Sequence, residues 1–250
     1  MVCVRQKSCS CSGHYNSLQA EFRSQMTRDI SLQAAYTFSK AYDPATGSNN
    51  VQDLNAVSNP YSYTYDNGPS NLDRRHIAFV NFIYDIPFLK NNSNTMLKST
   101  VGGWQVSGVV SLVSGNPLNI TAGGVTGNIS NNLPNSNNRP DVNGSVATPH
   151  NVSSWFGTAA FLAPVPGTFG NFPRNSVYGP GRQNWNIALF KSFVFSETRG
   201  SRLELRVETF NTFNHTQFKD VSNTFSASNF GAVTTAHDPR EIQLGVKVIF

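Results

Sequence analysis

Single alternation of apolar and polar residues runs through seven stretches of this chain. That is the period of a β-strand whose two faces meet different surroundings. In residues 15–24, Leu18, Ala20 and Phe22 oppose Gln19, Glu21 and Arg23. In 30–42, Ile30, Leu32, Ala34, Tyr36 and Phe38 oppose Ser31, Gln33, Thr37 and Ser39. Residues 75–88 align Ala78, Val80, Phe82, Tyr84 and Ile86, and 104–118 align Trp104, Val106, Val110 and Leu112, with Val109 and Val113 blurring the other face. Residues 184–195 align Trp185, Ile187, Leu189, Phe193 and Phe195. In 201–213, Leu203, Leu205 and Val207 oppose Arg202, Glu204, Arg206 and Glu208. The last stretch, 240–250, sets Ile242, Leu244, Val246, Val248 and Phe250 against Glu241, Gln243, Gly245 and Lys247. No stretch of useful length carries the i, i+3, i+4 pattern of an amphipathic helix, so the chain reads as all-β.

The connections alternate in length. Turns at 26–29 and 197–200 are tight and the link 89–103 is moderate, whereas 43–74, 121–183 and 215–239 are long. Structureless loops beyond about 12–15 residues are uncommon in compact domains. Short-then-long connections are instead the signature of an antiparallel up-and-down transmembrane barrel, with tight turns on one side and long loops on the other. Strands of about 9–11 tilted residues suffice to cross a bilayer core. Trp104, Tyr36, Phe38, Tyr84, Phe88, Trp185, Phe193, Phe195 and Phe213 fall toward strand ends, where membrane strands carry aromatic girdles. A soluble sandwich with binding loops also alternates, and detergent dependence separates the two.

Composition sharpens this picture. Hydrophobic residues are 38% of the 250 and charged residues 13%, both below the usual soluble share. Such a chain is rich in neutral polar residues, which argues against a large dry core and against charged disorder alike. The net charge of +5 is scattered without a Lys/Arg run, so a nucleic-acid partner is not expected. The three cysteines, Cys3, Cys9 and Cys11, sit together at the start and lack the second pair that a zinc site needs. The first residues show no charged-then-apolar leader, and no run approaches a membrane helix.

Catalytic constellations are missing from the pattern. His14, His76, His150, His215 and His237 form no paired motif, and no Gly-x-Ser-x-Gly elbow occurs. Gly179-Pro180-Gly181 reads as a tight turn, not a dinucleotide fingerprint. No enzyme, metal or cofactor is expected. Arg202, Glu204, Arg206 and Glu208 form a charge ladder on one face, expected to pair with neighbouring strands. The Asn-, Ser- and Gly-rich stretch 121–143 suggests flexibility, and the sequons at Asn119 and Asn214 carry no meaning in a bacterial barrel.

A set of blocks in order carries a family resemblance: YNSLQ at 15–19, AYTFSKAYD at 35–43, LDRRH at 72–76, YDIPF at 84–88, GWQVSGVVSLVSGNPL at 103–118, YGPGRQNWNIALFKSF at 178–193, LRVETFNTFNHTQF at 205–218 and DPREIQLGVKVIF at 238–250. Over residues 14–250 the chain resembles the C-terminal part of the barrel of TonB-dependent outer-membrane receptors, Oar-like group, in which the barrel follows a carboxypeptidase-regulatory-like domain and a plug. Residues 1–13 match nothing in that pattern. The resemblance implies a bacterial outer-membrane location, and it implies that Asp73, Arg74 and Arg75 lie at the extracellular start of the third strand, where an Asp–Arg pair would anchor a loop. It also implies contact with lipid, with the remaining strands and plug of a parent receptor, and with the TonB complex only through that plug. Gln243, Gly245, Val248 and Phe250 are similar to the assembly signal that the barrel assembly machinery reads by strand pairing. Family barrels close with many more strands, so the chain is expected to be a fragment that forms wall and ligand-admitting loops and does not transport alone.

Overall fold

The computed structural model describes residues 13–25, 27, 29–43, 59, 62–88, 101–124, 138–196 and 200–250. Seven long strands follow one another: β1 (His14–Gln25), β2 (Ile30–Asp43), β3 (His76–Asp85), β4 (Trp104–Val113), β5 (Arg182–Ser196), β6 (Ser201–Phe210) and β7 (Glu241–Ile249). Each pairs antiparallel with its neighbour in sequence, giving one meander in the order β1 to β7. A short strand, Gly68–Pro69, adds to the loop-side end of β2. The sheet is open, with β1 and β7 at its edges, and its only helical turn among the described residues is the 3-10 turn Tyr63–Asp66.

All seven expected strands are present, with altered ends. β4 stops at Val113 instead of running to residue 118, because Pro117 has no N–H to give the ladder and joins Leu118 in a small pairing with Val177–Tyr178. A Cβ at Gly115 would overlap the Gly179 carbonyl, so this crossing of two loop segments needs glycine. β6 stops at Phe210 because Asn211 turns left-handed, at φ 50°. β3 is shorter at both ends than 75–88, and β5 is slightly longer than 184–195.

The register keeps each face continuous across the sheet. Ile30, Tyr84, Val106, Leu189, Val207 and Leu244 form one row through six strands. Leu32, Phe82, Gly108, Ile187, Thr209 and Ile242 form the next. Between them runs a row of the opposite face: Ser31, Ile83, Ser107, Ala188, Glu208 and Gln243. Val109, which blurred the pattern of β4, stands between Asn81 and Asn186 on this second face.

Among the described residues, no second layer of protein covers either sheet face. Leu244 is 74% exposed and Val246 68%. The dry core lies elsewhere, in the loops: Leu118, Ile120, Phe156, Phe161, Phe172, Val177 and Val221 are buried together. The Phe161 ring meets Phe172, Phe156 and Phe230 edge to face, with centroids 4.9, 5.8 and 5.3 Å apart. The long connections therefore fold into a cap on one end of the sheet. Cys3, Cys9 and Cys11 lie outside the described residues, as do 125–137 of the stretch expected to be flexible.

Candidate functional site: a two-faced wall and its loop cap

The apolar face carries aromatics at both of its ends. Tyr36, Phe38 and Trp185 stand toward the loop end of their strands, and Tyr84, Trp104 and Phe193 toward the turn end. Phe213 sits beyond β6 and packs edge-on against Trp185 at 5.6 Å. Among its aromatics at the turn end this face holds a buried cation. Lys191 is opposite Trp104 and Leu205, yet is 2% exposed. Its Nζ donates to the Gly102 carbonyl at the turn end and lies 5.1 Å from the Phe193 ring centroid. A lysine that folds its stem along apolar surface and sends its charge to the sheet's end is behaving as interfacial lysines do. The sequence pattern alone did not single it out.

The opposite face mixes polar side chains with exposed apolar ones, Phe79, Ile83, Val109 and Val194, and has an ionic margin. Gln33 donates to Glu21 across β1 and β2 at 3.0 Å, and Gln105 to Asp85 across β4 and β3 at 2.8 Å. The charge ladder lies on this face, as expected from its parity. Its ion pairs, however, run along β6 and not across to its neighbours: Arg202 to Glu204 at 2.7 Å and Arg206 to Glu208 at 2.6 Å. Two-residue spacing places these side chains side by side, and the long arginines reach along the strand. A largely apolar concavity of about 360 Å³ opens on this face, lined by Ile83, Val109, Ala188 and Phe210 as well as by Asn81, Asn186 and Arg206.

The cap is fastened to the sheet by buried polar groups. Asp73 is 1% exposed; its carboxylate accepts from the Ala41 N–H of β2 at 2.7 Å and from the Tyr178 hydroxyl at 2.9 Å. Asp73 is thus the loop anchor, but through those donors instead of the expected Asp–Arg pair. Arg74 and Arg75 reach at 3.5 Å to the Ser114 carbonyl and the Tyr178 hydroxyl. Burial and the Asp73 carboxylate raise the Tyr178 phenol, and burial lowers Arg74.

A second knot ties the loop after β2 to the loop after β4. Arg139 donates to the Asp66 carboxylate at 3.1 Å and to the Tyr65 carbonyl at 2.6 Å, with its guanidinium 3.8 Å from the Tyr65 ring centroid. Arg174 donates to the Asp43 carboxylate at 2.9 Å and to the Asp66 carbonyl at 2.9 Å. Both guanidiniums are almost wholly buried, so each charge must be met where it lies. Asn138 and Arg139 belong to the stretch expected to be flexible, and it is this pairing that orders them. No local signal in the sequence links residues so far apart.

Gln243, Gly245 and Val248 sit in β7, at the open edge, with Phe250 just past the strand. Gln243 and Gly245 share the polar face with Glu208 and Arg206, whereas Val248 shares the apolar face with Leu203. Among the described residues, no group of three His, Cys, Asp or Glu side chains gathers as metal ligands, and no helix is long and apolar enough to cross a membrane.

Two changes in the cap are measurable. Arg139→Met removes the buried cation that meets the Asp66 carboxylate, and should cost about 3–5 kcal/mol by denaturant unfolding followed through Trp155, while adding Asp66→Leu should recover part of that loss. Burial raises Tyr65 as well as Tyr178, so their contribution is complete below the ordinary phenol range and is lost as pH climbs through the raised values. Protease sensitivity of the cap should therefore rise in strong alkali, and Tyr178→Phe should flatten part of that rise.

Comparison with known proteins gives one match: residues 4–243 fit the family model described as outer membrane beta barrel domain. No curated protein and no solved structure matches the chain.

Proposed function

We propose that this chain, which belongs to the outer membrane beta barrel domain family, forms seven consecutive wall strands of a TonB-dependent receptor of the Oar-like group. The continuous two-faced register is the observation that carries the reading: the apolar face meets lipid and the polar face lines a lumen. The capped loops form the outward surface that meets a ligand. TonB acts on the barrel through a plug, and the assembly machinery reads β7 through Gln243, Gly245, Val248 and Phe250. No nucleic acid and no catalytic step enters this account.

The sheet's edges specify what completes it. β1 and β7 both run from the cap end to the turn end, as an odd meander requires. Backbone groups in hydrocarbon must all be paired, so neither edge stays open in a membrane. Pairing β7 directly with β1, or with β1 of an equally oriented copy, would be parallel. An antiparallel closure needs an odd number of further strands, starting and ending with ones that run the other way, and those strands are the rest of the parent receptor. The seven strands alone are wall, not a transporter.

Neighbouring positions on β4 test the wall. Val106→Arg puts a cation on the lipid face, where a charge costs from about 0–1 kcal/mol near the interface to about 2–4 kcal/mol at the midplane, and should reduce membrane-embedded protein in the assembled barrel. Ser107→Arg, one residue on and facing the lumen, should embed almost normally. Equal embedding of the two variants, or a native chain that stays dissolved after detergent is removed, would overturn the reading and favour a soluble sandwich.

A further inference from the structure

The cap holds a cleft of about 720 Å³ between the loop before β5 and the loop after β6, within the size range of small-molecule sites. Aromatic surface walls it: Trp155, Phe213 and Phe218. Phe213 is 65% exposed although it is a large apolar side chain on a folded loop. His150 lies against the Trp155 ring with centroids 4.7 Å apart, and His215, Thr216 and Asn214 supply imidazole, hydroxyl and amide groups. No Asp, Glu, Lys or Arg lines the cleft.

The walls are set by hydrogen bonds, so the shape does not depend on a ligand. Trp155 Nε1 donates to the Tyr178 carbonyl at 2.9 Å. Gln217, 4% exposed, accepts from the Gln183 N–H at 2.9 Å, and Asn211 accepts from the His215 N–H at 3.1 Å. His150 and Asn214 hold left-handed backbone, at φ 55° and 51°, on opposite sides. Backbone in that region collects at ligand-holding sites.

Its position sets it apart from the lumen. Gln183 and Phe213, through Trp185, belong to the apolar side of the sheet, so the cleft opens above the lipid-facing rim. A separate pocket at the same end, lined by Asn184, Asn186, Asp238 and Glu241, opens on the polar face, and Gln217 stands between the two.

We infer that this outer cleft binds a neutral saccharide. Aromatic faces offer apolar platforms to the C–H face of a sugar ring, and amide, imidazole and hydroxyl groups match its hydroxyls. The lack of a charged lining disfavours an anionic ligand, whose desolvation nothing in the cleft would offset. The sugar comes either from a soluble glycan or from the headgroup of a glycolipid in the facing leaflet. Only the direction in which the cleft opens rests on the wall reading; the cleft itself does not.

The full chain folded in detergent micelles is to be tested on an array of neutral, sialylated and sulfated oligosaccharides, and beside it on vesicles doped with a neutral glycolipid. Binding of neutral glycans in either format is expected, and the responding format identifies the source. Phe213→Ala removes one exposed platform and should weaken that binding about two- to tenfold, in line with a single ring contact. His215→Ala should weaken it without changing the unfolding midpoint. Failure of every neutral glycan to bind, equal binding of sialylated or sulfated ones, or unchanged affinity in both variants would overturn the proposal. Embedding of Val106→Arg is read separately, so a failure here leaves the wall reading standing.

Discussion

Everything in this molecule depends on a register that keeps each face continuous across seven strands, its one irregularity being at the turn end of β5 and β6, between Val194 and Ser196. A shift by one residue would carry every apolar side chain of a strand to the polar face. The rows through Val106, Leu189 and Val207, and through Ser107, Ala188 and Glu208, show that no such shift occurs in the central strands. The cap fixes that register at one end. A sheet of this kind has no interior of its own. Its stability comes from backbone ladders and from the folded loops at the end, and the proposed wall adds lipid on the apolar side.

The loops therefore do the work that a core does elsewhere. Phe156 and Ile120 are wholly buried in the cap, while aliphatic residues of β7 stand open. Asp73 joins the cap to β2, and Arg139 and Arg174 join its two largest loops. Buried ion pairs add little net stability over apolar packing, but they penalise wrong pairings heavily. Here they tie the loop after β2 to the loop after β4, and the cap keeps the polar-face pocket and the outer cleft apart.

The strands were legible because their signal is local: alternation in 201–213 or 240–250 needs no distant partner. Ends were less so. Pro117 and Asn211 stop β4 and β6 through backbone chemistry, within alternation that continues past them. The loop cap was not legible, since Arg139 meets Asp66 and Arg174 meets Asp43 only after the sheet brings their loops together. The charge ladder was placed on the right face, but side-chain reach decided its partners, and two-residue neighbours won. Lys191 passed unnoticed because a cation at an apolar parity looks like noise until the Gly102 carbonyl and the Phe193 ring are seen beside it.

The measurement that bears most directly on a two-faced wall is a nitroxide accessibility scan of β6 in lipid vesicles, made on the assembled barrel with Cys3, Cys9 and Cys11 replaced by serine. Single cysteines from 202 to 209 would be labelled one at a time. Oxygen, which concentrates in lipid, should relax labels at Leu203, Leu205, Val207 and Thr209, and a water-soluble nickel chelate those at Arg202, Glu204, Arg206 and Glu208. A flat profile, or a chelate that reaches both sets equally, would contradict the account.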